Sequence, residues 1–288
     1  MNDQTIFVTG STGNQGGAVA RSLAKSGYKV KALTRNAISD KAKALAAQGI
    51  EVVQGNLNEP ESFKLDLENV YGVFSVQSFE EGTAKEIKQG TTLADVAKEK
   101  GVQHFVYSSV AGAQLAQGVA HFESKQKIED HIKSISLPFT IIRPASLFEN
   151  FLLPQVRKGI PKGKLIQLVN KDTVMQYVSA EDVGTVATQV FKNKEKYLQK
   201  TIELATEELS GQEVAQVFSE VLGIPVPFKK LPAIIVRLFI GKDVYNMYNW
   251  INKRKRFGEA DLASVKQQFG DLLPMKQWIR THFGTSTP

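Results

Sequence analysis

Cysteine is absent from the 288 residues, and histidine occurs only at His104, His121, His131 and His282. The first absence excludes disulfides, a thiolate nucleophile, an iron–sulfur cluster and any zinc site with a cysteine ligand. The second leaves no two histidines at metal-ligand spacing, so no metal centre is expected. Long apolar runs are missing as well. The most apolar late stretch, Leu231–Ile240, is interrupted by Pro232 and Arg237 and is far shorter than the roughly 20 residues that span a bilayer. Met1–Gln4 is polar and Ile6-Phe7-Val8 runs directly into glycines, unlike an export signal, so a cytoplasmic protein with no membrane partner is expected.

The 36 Lys and Arg exceed the 29 Asp and Glu by seven, but the excess is unevenly placed. Residues 1–150 carry 16 basic and 16 acidic side chains, so the whole surplus lies in 151–288, densest at Lys253-Arg254-Lys255-Arg256. No DNA-reading motif accompanies that run, which argues against nucleic acid and for a solvated helix face or the rim of an anion site. The basic half also offers a surface to an acidic protein partner.

Short runs rich in Val, Ile and Phe alternate with helical patterns through the first two thirds of the chain. This predicts an α/β fold, a Rossmann-type doubly wound parallel sheet. Strands are expected at Ile6–Thr9, Lys29–Leu33, Glu51–Gln54, Gly72–Val76, His104–Ser108 and Thr140–Ile142, with helices at Gly16–Ser26, Lys41–Ala47, Thr83–Lys100 and Glu123–Ser134. Residues 1–155 then form a dinucleotide-binding domain. Val174–Val178 and Thr201–Leu204 also read as strands, so residues 172–206 are expected to rejoin the sheet. A smaller C-terminal substrate-side domain takes 156–171 and 207–288, opened by a capping box at Ser210 and Glu213 and anchored by Trp250, Phe257, Phe269 and Trp278.

The sharpest feature is Gly10-Ser11-Thr12-Gly13-Asn14-Gln15-Gly16, between the first strand and the first helix. In that position the first glycine permits a tight turn, the second lets backbone approach a pyrophosphate, and the third packs helix against strand. The free N–H groups of the helix start complete an anion site. The second strand runs into Leu33-Thr34-Arg35-Asn36, and no acidic residue lies between Asp3 and Asp40. A carboxylate there would bind the ribose 2′-hydroxyl of NAD, whereas a guanidinium can bond two oxygens of a 2′-phosphate, so NADP(H) is the expected cofactor. Asn56, beside Leu57, ends the third strand and Gln77 the fourth; they are placed near the adenine and the ribose-phosphate region respectively.

His121-Phe122-Glu123-Ser124-Lys125 opens the fourth helix. In a Tyr-x-x-x-Lys reductase the lysine holds the nicotinamide ribose and lowers the tyrosine's pKa. Lys125 keeps that spacing, but His121 stands in the tyrosine's place; an imidazole titrates near neutrality and can still donate a proton. Lys125 and His121 are therefore the candidate catalytic residues.

Taken together, Val8-Thr9-Gly10 through Gly17, Thr34-Arg35-Asn36, Lys88-Gln89-Gly90 with Leu93-Ala94-Asp95, His121-Phe122 with Lys125, Arg143-Pro144, and Phe148-Glu149-Asn150 resemble the NmrA-like group of atypical short-chain dehydrogenase/reductases over nearly the whole chain. Within it the chain is most similar to HSCARG-type NADPH sensors and NADPH-dependent quinone oxidoreductases. The resemblance implies that residues 11–16 and Arg35 hold the pyrophosphate and 2′-phosphate, that Asn56, Leu57, Gln77, Lys88 and Lys125 lie further along the dinucleotide, and that Ser146-Leu147-Phe148-Glu149 lines the nicotinamide end. It implies an NADPH-dependent oxidoreductase acting on a small-molecule electron acceptor, a quinone or carbonyl compound. The alternative within the group is a redox sensor that binds NADP(H) with little turnover and regulates a partner, as a monomer or homodimer.

Overall fold

The computed structural model describes residues 3–115 and 117–284. They form two compact units, the first from residues 3–113, 123–143 and 180–202, the second from 114–115, 117–122, 144–179 and 203–284. Among the described residues no helix is long and apolar enough to cross a membrane.

The first unit is built on six strands, β1 (Thr5–Val8), β2 (Lys29–Thr34), β3 (Glu51–Gln54), β4 (Gly72–Ser75), β5 (His104–Ser108) and β6 (Phe139–Pro144). They pair in parallel in the order β6-β5-β4-β1-β2-β3, and Lys200–Leu204 extends the sheet beyond β6. The strand order reverses between β1 and β4, the switch point where such sheets open a crevice at their carboxyl ends. Every residue of β4, β5 and β6 is buried, as expected for strands covered on both faces, whereas the terminal strand β3 buries only Val53 fully.

Two helix layers cover the sheet. Helix α1 (Asn14–Lys25) packs with Ala180–Lys192, where Thr188 Oγ1 donates to Ser22 Oγ at 2.8 Å. Helix α2 (Asp40–Ala46) begins at Ser39, whose hydroxyl caps the Ala42 amide. On the other face lie α3 (Thr83–Glu99) and α4 (Ala120–Ser134), which bury Leu93, Ala97, Ile128 and Ile132 against Phe7, Val73, Phe105, Tyr107 and Ile141. The period of two along β5 sends Phe105 and Tyr107 to this face and His104 to the opposite one.

His104 Nε2 lies 2.8 Å from Thr140 Oγ1, which itself donates to the Tyr197 carbonyl at 2.8 Å. The threonine proton is thus committed, so the imidazole donates from Nε2. Burial, with Lys194 adding, pulls its pKa down to about 4. The unfolded chain takes up this proton near pH 6.5. Stability from this group is therefore complete above that pH and declines as pH falls from 6.5 towards 4, by about 3 kcal/mol in all. Urea unfolding at pH 7.0 and 4.5 is expected to show a smaller loss in His104→Gln than in the parent; equal losses would assign the acid sensitivity elsewhere.

In the second unit, Val174–Val178 is the centre of a small sheet, antiparallel to Glu207–Ser210 and parallel to both Arg256–Phe257 and Ser146–Leu147. This corrects part of the expectation for 172–206: Lys200–Leu204 joins the main sheet but Val174–Val178 does not. Alternating burial marks a segment as a strand without naming its partner, and here the partners come from segments 144–179 and 203–288. The capping box at Ser210 and Glu213 forms as expected and opens Gly211–Leu222. Phe148, Phe151, Tyr177, Phe218 and Trp278 make an aromatic core, with Trp278 fully buried.

Candidate functional site

The glycine loop lies at the carboxyl end of β1. Gly10 adopts φ +59°, and a Cβ there would come within 2.7 Å of Val76, so the loop rests against the residue that follows β4. Thr9 fastens it: its hydroxyl donates to the Val76 carbonyl at 3.1 Å and accepts from the Val76 amide at 2.9 Å. Ser11 Oγ donates to the Leu33 carbonyl of β2 at 2.6 Å, and Gln15 Oε1 accepts from Ser108 Oγ at the end of β5 at 2.7 Å. The loop thus draws together the ends of β1, β2, β4 and β5.

Helix α1 starts after Gly13 with no side chain capping its first amides and no acidic residue in its first turn. Gly13 and Asn14 are exposed and Thr12 is half-buried. The open N-terminus of a twelve-residue helix favours an anion through its free N–H groups and its dipole. Gly16 is enclosed instead: a Cβ would sit 2.4 Å from both the Thr9 and Gly10 carbonyl oxygens. Of the loop residues, Ser11 spends its hydroxyl proton and Gln15 its Oε1 on the scaffold.

Next to Val76, the buried Gln77 donates from Nε2 to Ser75 Oγ at 2.9 Å, while its Oε1 has no hydrogen-bond partner among the described residues. The Gln77 carbonyl accepts from Lys125 Nζ at 3.1 Å, and Glu86 of α3 pairs with the same ammonium at 3.0 Å. Lys125 Nζ is therefore held within the protein by a hydrogen bond to Gln77 and an ion pair with Glu86. Ser124 donates to the other Glu86 oxygen, and Lys125 Nζ stands 5.6 Å over the Tyr107 ring. The Tyr107 hydroxyl is buried without a hydrogen-bond partner among the described residues. Burial, together with Glu86 and Glu129, raises its pKa well above the usual phenol value, so it holds its proton.

One turn after Lys125, Glu129 accepts from Arg143 Nε at 2.8 Å, Arg143 Nη2 at 2.6 Å and Ser109 Oγ at 2.6 Å, with Lys133 Nζ at 3.2 Å. Burial pushes this carboxyl up, but the bonds from Arg143 and Ser109 and the charges of Arg143 and Lys133 outweigh it and hold its pKa below the ordinary value. Two buried clusters thus lie one turn apart on α4, Glu86, Ser124 and the Tyr107 ring about Lys125, and Ser109 and Arg143 about Glu129, and none of these six is among the residues expected from sequence to bind or react.

The remaining expected residues are placed as follows. Arg35 is 72% exposed and paired with Glu81. Asn56 spends its side chain in its own turn, donating to Glu59 Oε1 at 2.9 Å and accepting from the Asn58 amide at 3.1 Å, and Leu57 packs against the core. Lys88 is exposed two residues after the buried Glu86, so about 200° round the helix and away from Lys125. In the second unit, Ser146-Leu147 is a strand, Phe148 is stacked on Tyr177, and Glu149 accepts from Trp278 Nε1 at 3.2 Å. His121 is half-buried one turn before Lys125 on α4, its ring 5.7 Å from that of Phe122, which packs on Trp250 and Phe257.

A model of the NmrA-like family matches residues 2–277. An NmrA-like family domain-containing oxidoreductase of Malbranchea aurantiaca is 32% identical over 252 residues, covering 78% of this chain and 75% of that protein. The fold is that of NmrA, a negative transcriptional regulator crystallised with NADP, at TM-score 0.83 and 22% identity over 98% of this chain and 96% of that one. It is equally that of the NADPH-dependent quinone oxidoreductase of Escherichia coli complexed with NADPH, at TM-score 0.80 and 22% identity over 97% of this chain and the whole of that one. By its glycine loop, its sheet order and a family match spanning almost every residue, the chain belongs to the NmrA-like family.

Proposed function

We propose that the chain is an NADP(H)-dependent reductase of a small electron acceptor, a quinone or carbonyl compound. The observation that carries this reading is the continuity from the open start of α1, through Gly10 and Val76, to Gln77 and the buried ammonium of Lys125. An anion site and a hydroxyl-binding site are thereby joined at the carboxyl ends of adjacent strands, and the unpartnered Gln77 Oε1 fits a ribose hydroxyl that can donate to it. The NADP and NADPH complexes of the structural relatives support the same cofactor.

When bound, NADPH supplies a hydride to the acceptor. The α1 amides hold the pyrophosphate, Arg35 the 2′-phosphate, and Gln77 and Lys125 the nicotinamide ribose. Lys125 is fixed by its ion pair with Glu86 and its bond to the Gln77 carbonyl, and its ammonium keeps donor capacity for that ribose. The proton for the reduced oxygen comes from His121 or from water. A quinone suits such a site, because its reduced oxyanion is resonance-stabilised and needs little acid assistance, so the missing tyrosine matters less than for a simple ketone.

The test is rapid mixing of the NADPH-saturated protein with a panel of quinones and aldehydes while the reduced-nicotinamide absorbance is followed. Consumption above the protein-free rate is expected, and Lys125→Ala is expected to reduce NADPH affinity and turnover together, each by about tenfold or more. Unchanged kinetics would remove Lys125 from the site. No consumption despite demonstrated NADPH binding would favour a second reading, the NADP(H)-responsive regulator of a protein partner. That reading draws on the exposed Ile234, Leu238 and Phe239 beside exposed Lys229, Lys230 and Arg237, an apolar and basic surface suited to an acidic partner.

A further inference from the structure

Arg35 already has a carboxylate on its guanidinium. Glu81 pairs with it, and the second carboxylate oxygen of Glu81 lies 3.6 Å from Lys85 Nζ. Five residues further on, Glu86 makes the same kind of pair with Lys125. The two cations assigned above to opposite ends of NADPH are thus each neutralised from one short stretch, Glu81 before α3 and Glu86 in its first turn.

The two pairs differ in their access to water. Glu86 is fully buried and held by Ser124 as well, so it stays with Lys125. Glu81 and Arg35 are 36% and 72% exposed at their side chains, and exchange of such a pair for another anion costs little desolvation. The bond from Arg35 keeps the Glu81 carboxyl below its ordinary pKa, hence ionised at neutral pH. A 2′-phosphate brought to Arg35 meets this negative charge at close range and needs the same guanidinium donors.

We infer that Glu81 is a carboxylate latch on Arg35 that a 2′-phosphate must displace, so that Glu81 limits the preference of this site for NADP(H) over NAD(H). The inference rests on the reading of Arg35 as the 2′-phosphate residue. It makes Glu81 a specificity-setting residue that touches no reacting atom, and it predicts an effect confined to ligands that carry the 2′-phosphate.

The experiment measures binding of NADPH, NADH, 2′,5′-ADP and 5′-AMP to the full chain and to Glu81→Gln, Arg35→Gln and the double variant. Glu81→Gln is expected to tighten NADPH and 2′,5′-ADP by roughly three- to fivefold and to leave NADH and 5′-AMP unchanged. The gain should shrink at high salt and vanish in the Arg35→Gln background. If Arg35→Gln leaves the preference for NADPH intact, the underlying reading of Arg35 fails. If Arg35→Gln abolishes the preference, but Glu81→Gln moves NADPH and NADH alike, moves neither or weakens NADPH, the latch is wrong while Arg35 keeps its role.

Discussion

Glu129→Ala is expected to lower the free energy of unfolding by about 3–5 kcal/mol, the usual cost of leaving one member of a buried ion pair without its partner. Glu129 is fully buried and accepts both arms of the Arg143 fork together with the Ser109 hydroxyl. Truncation leaves a buried guanidinium without its carboxylate. Glu129→Gln keeps an acceptor in place and should cost less, so the order parent, Gln, Ala in urea unfolding at pH 7 is the check. Equal stabilities for parent and Ala would mean that water replaces the carboxylate freely. The pH dependence follows from the sign of the shift. A carboxyl whose folded pKa lies below the unfolded value stabilises fully above the ordinary carboxylate range and loses that contribution as pH falls through the folded value. The acid-induced loss should therefore be smaller in Glu129→Gln than in the parent. Because Lys125 stands one turn before Glu129 on α4, the pair that joins α4 to β6 also anchors the helix that carries Lys125.

Glu129 and Glu86 are not among the residues expected from sequence to belong to the site. Both lie on the apolar stripes of their helices: Glu86 precedes Gly90, Leu93, Ala94 and Ala97 at helical spacing, and Glu129 sits between Ile128 and Ile132. A charged residue on a buried stripe is itself a sign of a partner, because an unpaired buried charge is too costly to keep. That signal was present, although the identity of each partner was not, since Lys125 and Arg143 are brought there by the sheet. The strands β1 to β6 were legible because their order in the chain and their apolar runs fix a parallel fold, and the glycine loop because its chemistry is local. Val174–Val178 was recognisable as a strand but not by sheet, since pairing is a long-range choice. Arg35 was legible as a cation after β2; its counter-ion, 46 residues away, was not. Phe148 and Glu149 were visible as a motif, but their packing on Tyr177 and Trp278 depends on contacts far along the chain.

Gly16→Ala is expected to reduce NADPH affinity by about a hundredfold, or about 2.7 kcal/mol, and to cost roughly 1–3 kcal/mol of stability as well. The reason is spatial. The added methyl carbon would meet the Thr9 and Gly10 carbonyl oxygens at 2.4 Å, and both are backbone atoms with no side chain to rotate away. Relief requires α1 to move off the loop, which would carry its open amides and Gln15 away from the ends of β4 and β5. Gly13→Ala is the companion variant: its methyl would stand 3.1 Å from a single carbonyl, that of Gly10, and its backbone is already extended. It should lose little stability. Thermal unfolding and NADPH titration of both variants, at a temperature where circular dichroism shows each to be folded, separate the two effects. A Gly16→Ala protein that is folded and binds NADPH as the parent does would show that the anion site does not depend on the close approach of α1 to β1, and the proposed seat of the pyrophosphate would have to move elsewhere.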